Sequence, residues 1–264
     1  MTRTLVILAK ELRDLLRNWG VLIALILPAL LIPGLAIVGL YVAGLTPETF
    51  KLPPNLVIPP GLVGAGSRAI AQYAALSPFF MLWLIFPVSI PSVLAANSIV
   101  GEKEANTLEP LLATPIRTWE LLLGKALASV FPALLLTWLP FLVLVLTAYR
   151  LAPASVLHAT LLSAPWLVGI FLLAPTLTLL TVMFLVIVSA WATEVRTANQ
   201  LGAVLIAPLV AMIVIQVTQG TALTMGKVLG IWGVVLFLLA LTLPVAVRLF
   251  QRETILVRWK QSGG

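Results

Sequence analysis

The chain contains no cysteine and a single histidine, and only 9% of its 264 residues are charged. The lack of cysteine excludes a disulfide framework and thiolate chemistry. His158 falls on an expected outer connector with no carboxylate near it in sequence, the setting of a surface imidazole and not of a base or ligand. The scarcity of charge excludes a soluble domain of this length, which needs far more polar surface.

Apolar sequence fills the space. Hydrophobic residues make up 61% of the chain and the mean hydropathy is +1.13. Six uncharged apolar stretches, 20–44, 77–100, 127–148, 163–191, 201–218 and 228–247, are each long enough to cross a hydrocarbon core about 30 Å thick as a helix. Prolines inside them, among them Pro28, Pro33, Pro87, Pro132 and Pro208, do not demote them, because packed transmembrane helices re-satisfy the freed carbonyls. Barrel strands would be about ten residues long and alternating, so the expected fold class is an all-α membrane protein with six transmembrane helices.

Basic residues set the expected orientation, since cytoplasmic loops retain Lys and Arg. With the N-terminus inside, twelve of the sixteen basic residues fall on the cytoplasmic side and only Lys51, Arg68, Arg150 and Lys227 on the outer side. Both termini are expected in the cytoplasm of a multi-pass protein of the cell (inner or plasma) membrane. The net charge of +7 flanks spans instead of forming a stripe, which points to anionic lipid and not to nucleic acid. The N-terminus does not read as a cleavable signal, because its charges continue to Arg17 and the apolar run behind them is too long.

Residues 2–19 read as an amphipathic helix on the membrane surface. Leu5, Leu8, Leu12, Leu15, Leu16 and Trp19 share about 100° of arc, opposite Arg3, Lys10, Arg13, Asp14 and Arg17. The apolar stripe is expected to face lipid or the bundle. The outer loop 45–76 carries Pro47, Pro53, Pro54, Pro59 and Pro60 and reads equally as a small cap or an ordered connector. Glu194, Arg196, Asn199 and Gln200 form a second cytoplasmic polar cluster, and Arg248–Gly264 a basic tail.

One block departs from this oily background. Gly101–Lys125 reads G-E-K-E-A-N-T-L-E-P-L-L-A-T-P-I-R-T-W-E-L-L-L-G-K and holds four of the nine carboxylates, Glu102, Glu104, Glu109 and Glu120. Asn106 followed by Glu109 resembles a capping box, and Pro115 disfavours helix at Thr114, so a short helix over about 106–113 is expected. Leu108, Leu111 and Leu112 offer an apolar contact rimmed by Glu102, Glu104 and Glu109, suited to docking in a groove of a soluble partner. An ordinary solvated loop is the alternative reading.

The block resembles the signature of permease subunits of ABC transporters, specifically the type 2 exporter family. The pattern is approximately E-[RK]-E-x-G-T-L-E-x-L-L-x-T-P followed by E and G-K. It is matched at Glu102, Lys103, Glu104, Thr107, Leu108, Glu109, Leu111, Leu112, Thr114, Pro115, Glu120, Gly124 and Lys125. Asn106 stands where the family usually has glycine, and Pro110 is a second departure. The resemblance implies that 101–118 is a coupling region in which Glu102, Glu104, Asn106, Thr107, Leu108, Glu109, Leu111, Leu112, Thr114 and Pro115 contact a separate ATP-binding subunit. It also implies a pair of such ATPases carrying ATP and Mg, and a second permease, identical or not, with the translocation path along the dimer interface.

This chain is expected to bind no cofactor itself. The two Gly-Lys pairs fail the P-loop pattern, since Gly226-Lys227 has Thr221 and Val228, and Gly124-Lys125 has Trp119 and Ala126, at the required Gly and Ser/Thr positions. Among polar residues within spans, Asn97, Thr178, Thr181 and Gln216 are candidates for lining the path. Such side chains more commonly bond neighbouring carbonyls. A secondary transporter is the alternative function; it would place ionisable groups at mid-bilayer, and none lies well inside the six stretches. A membrane-embedded enzyme is a more distant alternative.

Overall fold

Backbone in hydrocarbon must satisfy its own hydrogen bonds, which leaves the apolar stretches little choice but helix. The computed structural model describes residues 2–47, 49, 57–104, 118–189, 191–192, 194–219 and 223–249. These form helices and turns with no strand among the described residues. Six helical segments are long and apolar enough to span a membrane: Trp19–Gly44, Ser67–Ser98, Leu123–Leu151, Ala164–Ser189, Val195–Gln216 and Met225–Ala246. The all-α membrane fold expected from the sequence is the fold observed.

The elements in chain order are α1 (Thr2–Arg17), α2 (Trp19–Gly44), a 3-10 turn (Pro60–Leu62), α3 (Ser67–Leu76), α4 (Phe79–Trp83), α5 (Phe86–Ala95), a π turn (Ala96–Val100) and α6 (Gly101–Glu104). Then follow α7 (Thr118–Leu151), α8 (Ala154–Ala159), α9 (Ala164–Val168), a second π turn (Gly169–Leu173), α10 (Ala174–Ser189), α11 (Val195–Ala203), α12 (Ala207–Gln219) and α13 (Met225–Leu249). The end of the bundle that carries α1 and α6 is called basal here, the opposite end apical.

Prolines punctuate the spans. The second span breaks at 77–78 and 84–85, next to Pro78 and just before Pro87, which sits in the first turn of α5, where a missing amide costs little. The fifth breaks at 204–206, ahead of Pro208. The break at Ser77 is covered by a neighbour, because Gln216 Nε2 donates to the Ser77 carbonyl at 3.0 Å.

The spans are not equivalent. In the second and fourth, 72% and 61% of the central residues are buried, against 11–28% in the others. Their core packs Phe80, Trp83, Phe86, Phe141 and Trp166, with edge-to-face pairs such as Phe80 on Trp166 at 5.3 Å between ring centroids. A Cβ on Gly169 would collide with the Phe80 ring, so glycine is required there. Helix α7 stitches the two central spans together. Trp83 Nε1 donates to the Thr137 carbonyl at 3.0 Å, and Trp138 Nε1 donates at 3.1 Å to the Ile170 carbonyl, inside the second π turn.

Several boundaries differ from those read in the sequence. The second span begins at Ser67, ten residues before the expected 77. Alternation with polar Arg68, Gln72 and Ser77 disguised its first turns, and Gln72 is buried because its Nε2 caps α7 by donating to the Leu151 carbonyl at 2.9 Å. The 45–76 loop therefore ends in helix, and α3 and the 3-10 turn pack with α8 as a small apical cap. The fifth span begins at Val195, so most of the Glu194–Gln200 cluster is helical. The short helix expected over 106–113 and the tail beyond Leu249 lie outside the described residues.

Candidate functional site

The site is assembled at the basal end, where α1 lies against the start of α7. Thr4 and Ile7 are buried there and Glu11 is nearly so, whereas Leu5 and Leu16 are exposed. At 100° per residue, the protein-facing arc is rotated about 100° from the centre of the leucine stripe. The stripe's outer edge is thus left for lipid, and Leu8, Leu12 and Leu15 are only half-buried. Gly124 permits this docking. A Cβ at that position would stand 2.7 Å from Ile7 Cγ2 and 3.3 Å from the Thr4 carbonyl oxygen.

The next residue supplies the charge. Lys125 is 2% exposed, and its ammonium is surrounded by acceptors from three other elements. It pairs with Glu11 Oε1 of α1 at 3.0 Å and with Glu102 Oε2 of α6 at 2.9 Å. It also donates to the Ser98 carbonyl at 2.7 Å and to Ser98 Oγ at 3.1 Å, both in the first π turn. Wide turns of this kind displace carbonyls from the regular ladder and recur at functional positions. A buried ammonium is tolerated only when paired and fully hydrogen-bonded, which this arrangement achieves.

Glu102 bridges two lysines, because its Oε1 also accepts from Lys10 at 3.0 Å. Lys10 in turn lies 3.6 Å from Glu11 and 3.8 Å from Asp14. Beside this junction opens a cavity of about 340 Å³, lined by Lys10, Glu11, Asp14, Asn97 and Glu102 among others. Glu104 reaches a different element: its Oε2 accepts from the Val195 amide, the first of α11, at 3.2 Å. A carboxylate at a helix start meets unpaired amides and the positive end of the helix dipole. The polar block therefore grips α1 and α7 through Glu102 and the fifth span through Glu104.

The charges tune one another. Burial is the largest influence on the Glu11 carboxyl and works to raise its pKa. The Lys125 charge, hydrogen bonds from Ser98 and Lys125, and the Lys10 charge outweigh it and hold the carboxyl below its usual range. For Lys10 burial again acts most strongly, in the lowering direction. The hydrogen bond and charge of Glu102, with the charges of Glu11 and Asp14, overcome it and raise the ammonium above its usual value.

Of the coupling residues expected from the sequence, the structure places Glu102 and Glu104 at this junction. Asn106, Thr107, Leu108, Glu109, Leu111, Leu112, Thr114 and Pro115 lie outside the described residues. Residues 5–250 match the profile of a family described as ABC-2 family transporter protein. The chain belongs to that family. A comparison with curated proteins finds no match. Family and fold together make it a multi-pass membrane permease, the membrane subunit of a transporter and not itself an enzyme.

The four path candidates of the permease do not converge. Asn97 lines the basal cavity, and its Nδ2 is bonded to the Val93 carbonyl at 2.7 Å. Thr178 is fully buried and spends its proton on the Ala174 carbonyl at 3.0 Å. Thr181 and Gln216 do meet, in an apolar cavity of about 730 Å³ between α4, α5, α10, α12 and α13. Sequence reasoning overlooked Lys10, Glu11, Ser98 and Lys125 as a unit. Lys125 carried a signal in the Gly-Lys pair, but Glu11 sits off the apolar stripe and gave none.

Proposed function

We propose that this permease is the membrane-spanning subunit of an ATP-driven exporter, working as a dimer of permeases with a pair of separate ATP-binding subunits. ATP and Mg belong to those subunits, and both failed P-loop frames in this chain favour that division. Both termini and the basal end face the cytoplasm, in keeping with the concentration of Lys and Arg on that side. The stretch 101–118 is the coupling region, and Glu102, Glu104, Asn106, Thr107, Leu108, Glu109, Leu111, Leu112, Thr114 and Pro115 make the contact or shape it.

One observation carries this reading. The first turn of the coupling region is anchored in the bundle at two points: Glu102 to Lys125 of α7 and Lys10 of α1, and Glu104 to the start of α11. A push delivered to 105–117 is thereby delivered to the basal ends of the second, third and fifth spans together, as a rigid-body switch requires.

Affinity purification in mild detergent tests the assembly. A P-loop ATPase should accompany the permease, and its consistent absence would count against the proposal. Glu104→Lys combined with Glu109→Lys should abolish ATP-coupled transport while membrane insertion stays normal. Unaltered transport by that variant would remove the coupling assignment.

A further inference from the structure

The cavity of about 730 Å³ at the apical half of the bundle has walls that select its contents. Its size lies within the range of about 300–1,000 Å³ typical of small-molecule sites. Among the described residues that line it, only Thr181, Gln216 and Lys227 carry polar side chains, and none is aromatic. Sugar hydroxyls would be left unpaired against such walls, and flat aromatic ligands would find no ring to stack on. Aliphatic chain is the chemistry that the walls of Val88, Leu180, Leu209, Ile231 and Val234 accept.

The polar groups are not spread evenly. Lys227 and Gln216 lie at the apical mouth, one near the start of α13 and the other in the last turn of α12. From Lys227 to Leu238, also on the wall, α13 runs about 16 Å toward mid-bilayer at 1.5 Å per residue. The cavity is thus polar at one end and oily along its length.

Gln216 adds a specific requirement. Its Nε2 donates to the Ser77 carbonyl, which needs a donor and so fixes which way the amide is turned. That leaves Oε1 buried without a hydrogen-bond partner, in a residue that is 8% exposed. An unmet acceptor in an apolar setting favours a ligand that brings a donor.

We propose that this cavity is a binding site for an acyl-chain amphiphile whose head carries a hydroxyl or amide N–H donor for Gln216 beside an anionic group attracted to Lys227. The tail lies along α13 between α10 and α12. Bilayer lipid tails are as apolar as these walls, so burial of the tail confers little preference over the membrane. Selection comes from the head. The site is contained within one protomer and is read by binding, so it stands or falls separately from ATP coupling.

The structure supplies its own blocking variant. Gly230 lines the cavity, and a Cβ built on it meets nothing within 4 Å. Gly233, on the same helix and equally open, is not on the wall and serves as the control.

The experiment uses the purified full-length permease in phosphatidylcholine nanodiscs with radiolabelled palmitoyl lysophosphatidylglycerol. Saturable binding should appear above the linear partition into empty discs. Gly230→Phe should weaken it at least tenfold, with Gly233→Phe unchanged. Gln216→Leu should weaken it about fivefold, the equivalent of about 1 kcal/mol for one hydrogen bond. Palmitoyl lysophosphatidylcholine should bind about fivefold more weakly, matching about 1 kcal/mol for one basic residue acting on anionic lipid. If Gly230→Phe is not monodisperse, Gly230→Val takes its place. Purely linear uptake, or equal binding by the blocked and control variants, would mean that bulk lipid alone fills the cavity and would overturn the proposal, as would indifference to both the headgroup and Gln216.

Discussion

The α1–α7 contact at the basal end and the α7 contact with the fourth span at mid-bundle join helices by opposite means. The first buries a cation among carboxylates, with Lys125 held by Glu11, Glu102 and Ser98. The second packs rings and spends one neutral hydrogen bond, Trp138 to the Ile170 carbonyl. Coulomb attraction in a low-dielectric setting is strong and unforgiving, since loss of one partner strands the other. Aromatic packing degrades gradually and is indifferent to protons and salt. A transporter that must move its basal end while keeping its centre intact has use for both.

The sharpest way to break the comparison is Lys125→Met. It leaves Glu11 and Glu102 with only the half-exposed Lys10 to neutralise them and should cost about 3–5 kcal/mol of α1 docking. Amide exchange across residues 2–17 measures it, and adding Glu11→Gln with Glu102→Gln should recover much of the protection. Gly124→Val comes next. Overpacking against Ile7 and the Thr4 carbonyl should cost about 1–3 kcal/mol, again as lost protection of α1, with the core around Phe141 unchanged.

The smallest effect distinguishes the two contacts by proton. The folded pKa of Glu11 is depressed, so its contribution is present above the ordinary value of 4.5 and fades as pH falls through the folded pKa. Lys10 is raised, so its share is complete below 10.5 and fades only as pH rises through the higher folded value. Protection of α1 should therefore hold across the neutral range and loosen in acid below about pH 4.5. The indole signal of Trp138 should not move with it. Equal acid sensitivity at both contacts would erase the distinction.

The legible parts of this protein are those the bilayer dictates. Length and apolarity of helices follow from membrane thickness, so six spans could be counted in the sequence and were found. The start of the second span was hidden because Gln72 is polar in composition yet buried by a specific bond to Leu151. Glu102 and Glu104 were legible as rare charges in an oily chain, but their partners were not. Lys125 lies 23 residues beyond Glu102 and Glu11 lies 91 before it, and no periodicity links such positions. Glu11 is concealed further because α1 docks through Thr4 and Ile7, a choice made by the absent side chain of Gly124 and not by the leucine stripe. Gln216 could be named from sequence as a polar residue in a span, whereas the cavity around it exists only once α4, α5, α10, α12 and α13 are assembled.

The π turn at Ala96–Val100 holds one residue more than an α-helix would place in the same rise. That surplus acts as a phase shift. Each residue advances a helix by about 100°, so the turn decides which way everything beyond it points. Wound as regular helix, the same residues would swing Glu102 and Glu104 round by about that angle, off Lys125 and off the Val195 amide at once. The polar block is aimed by a spacer one residue long, in the turn that immediately precedes it.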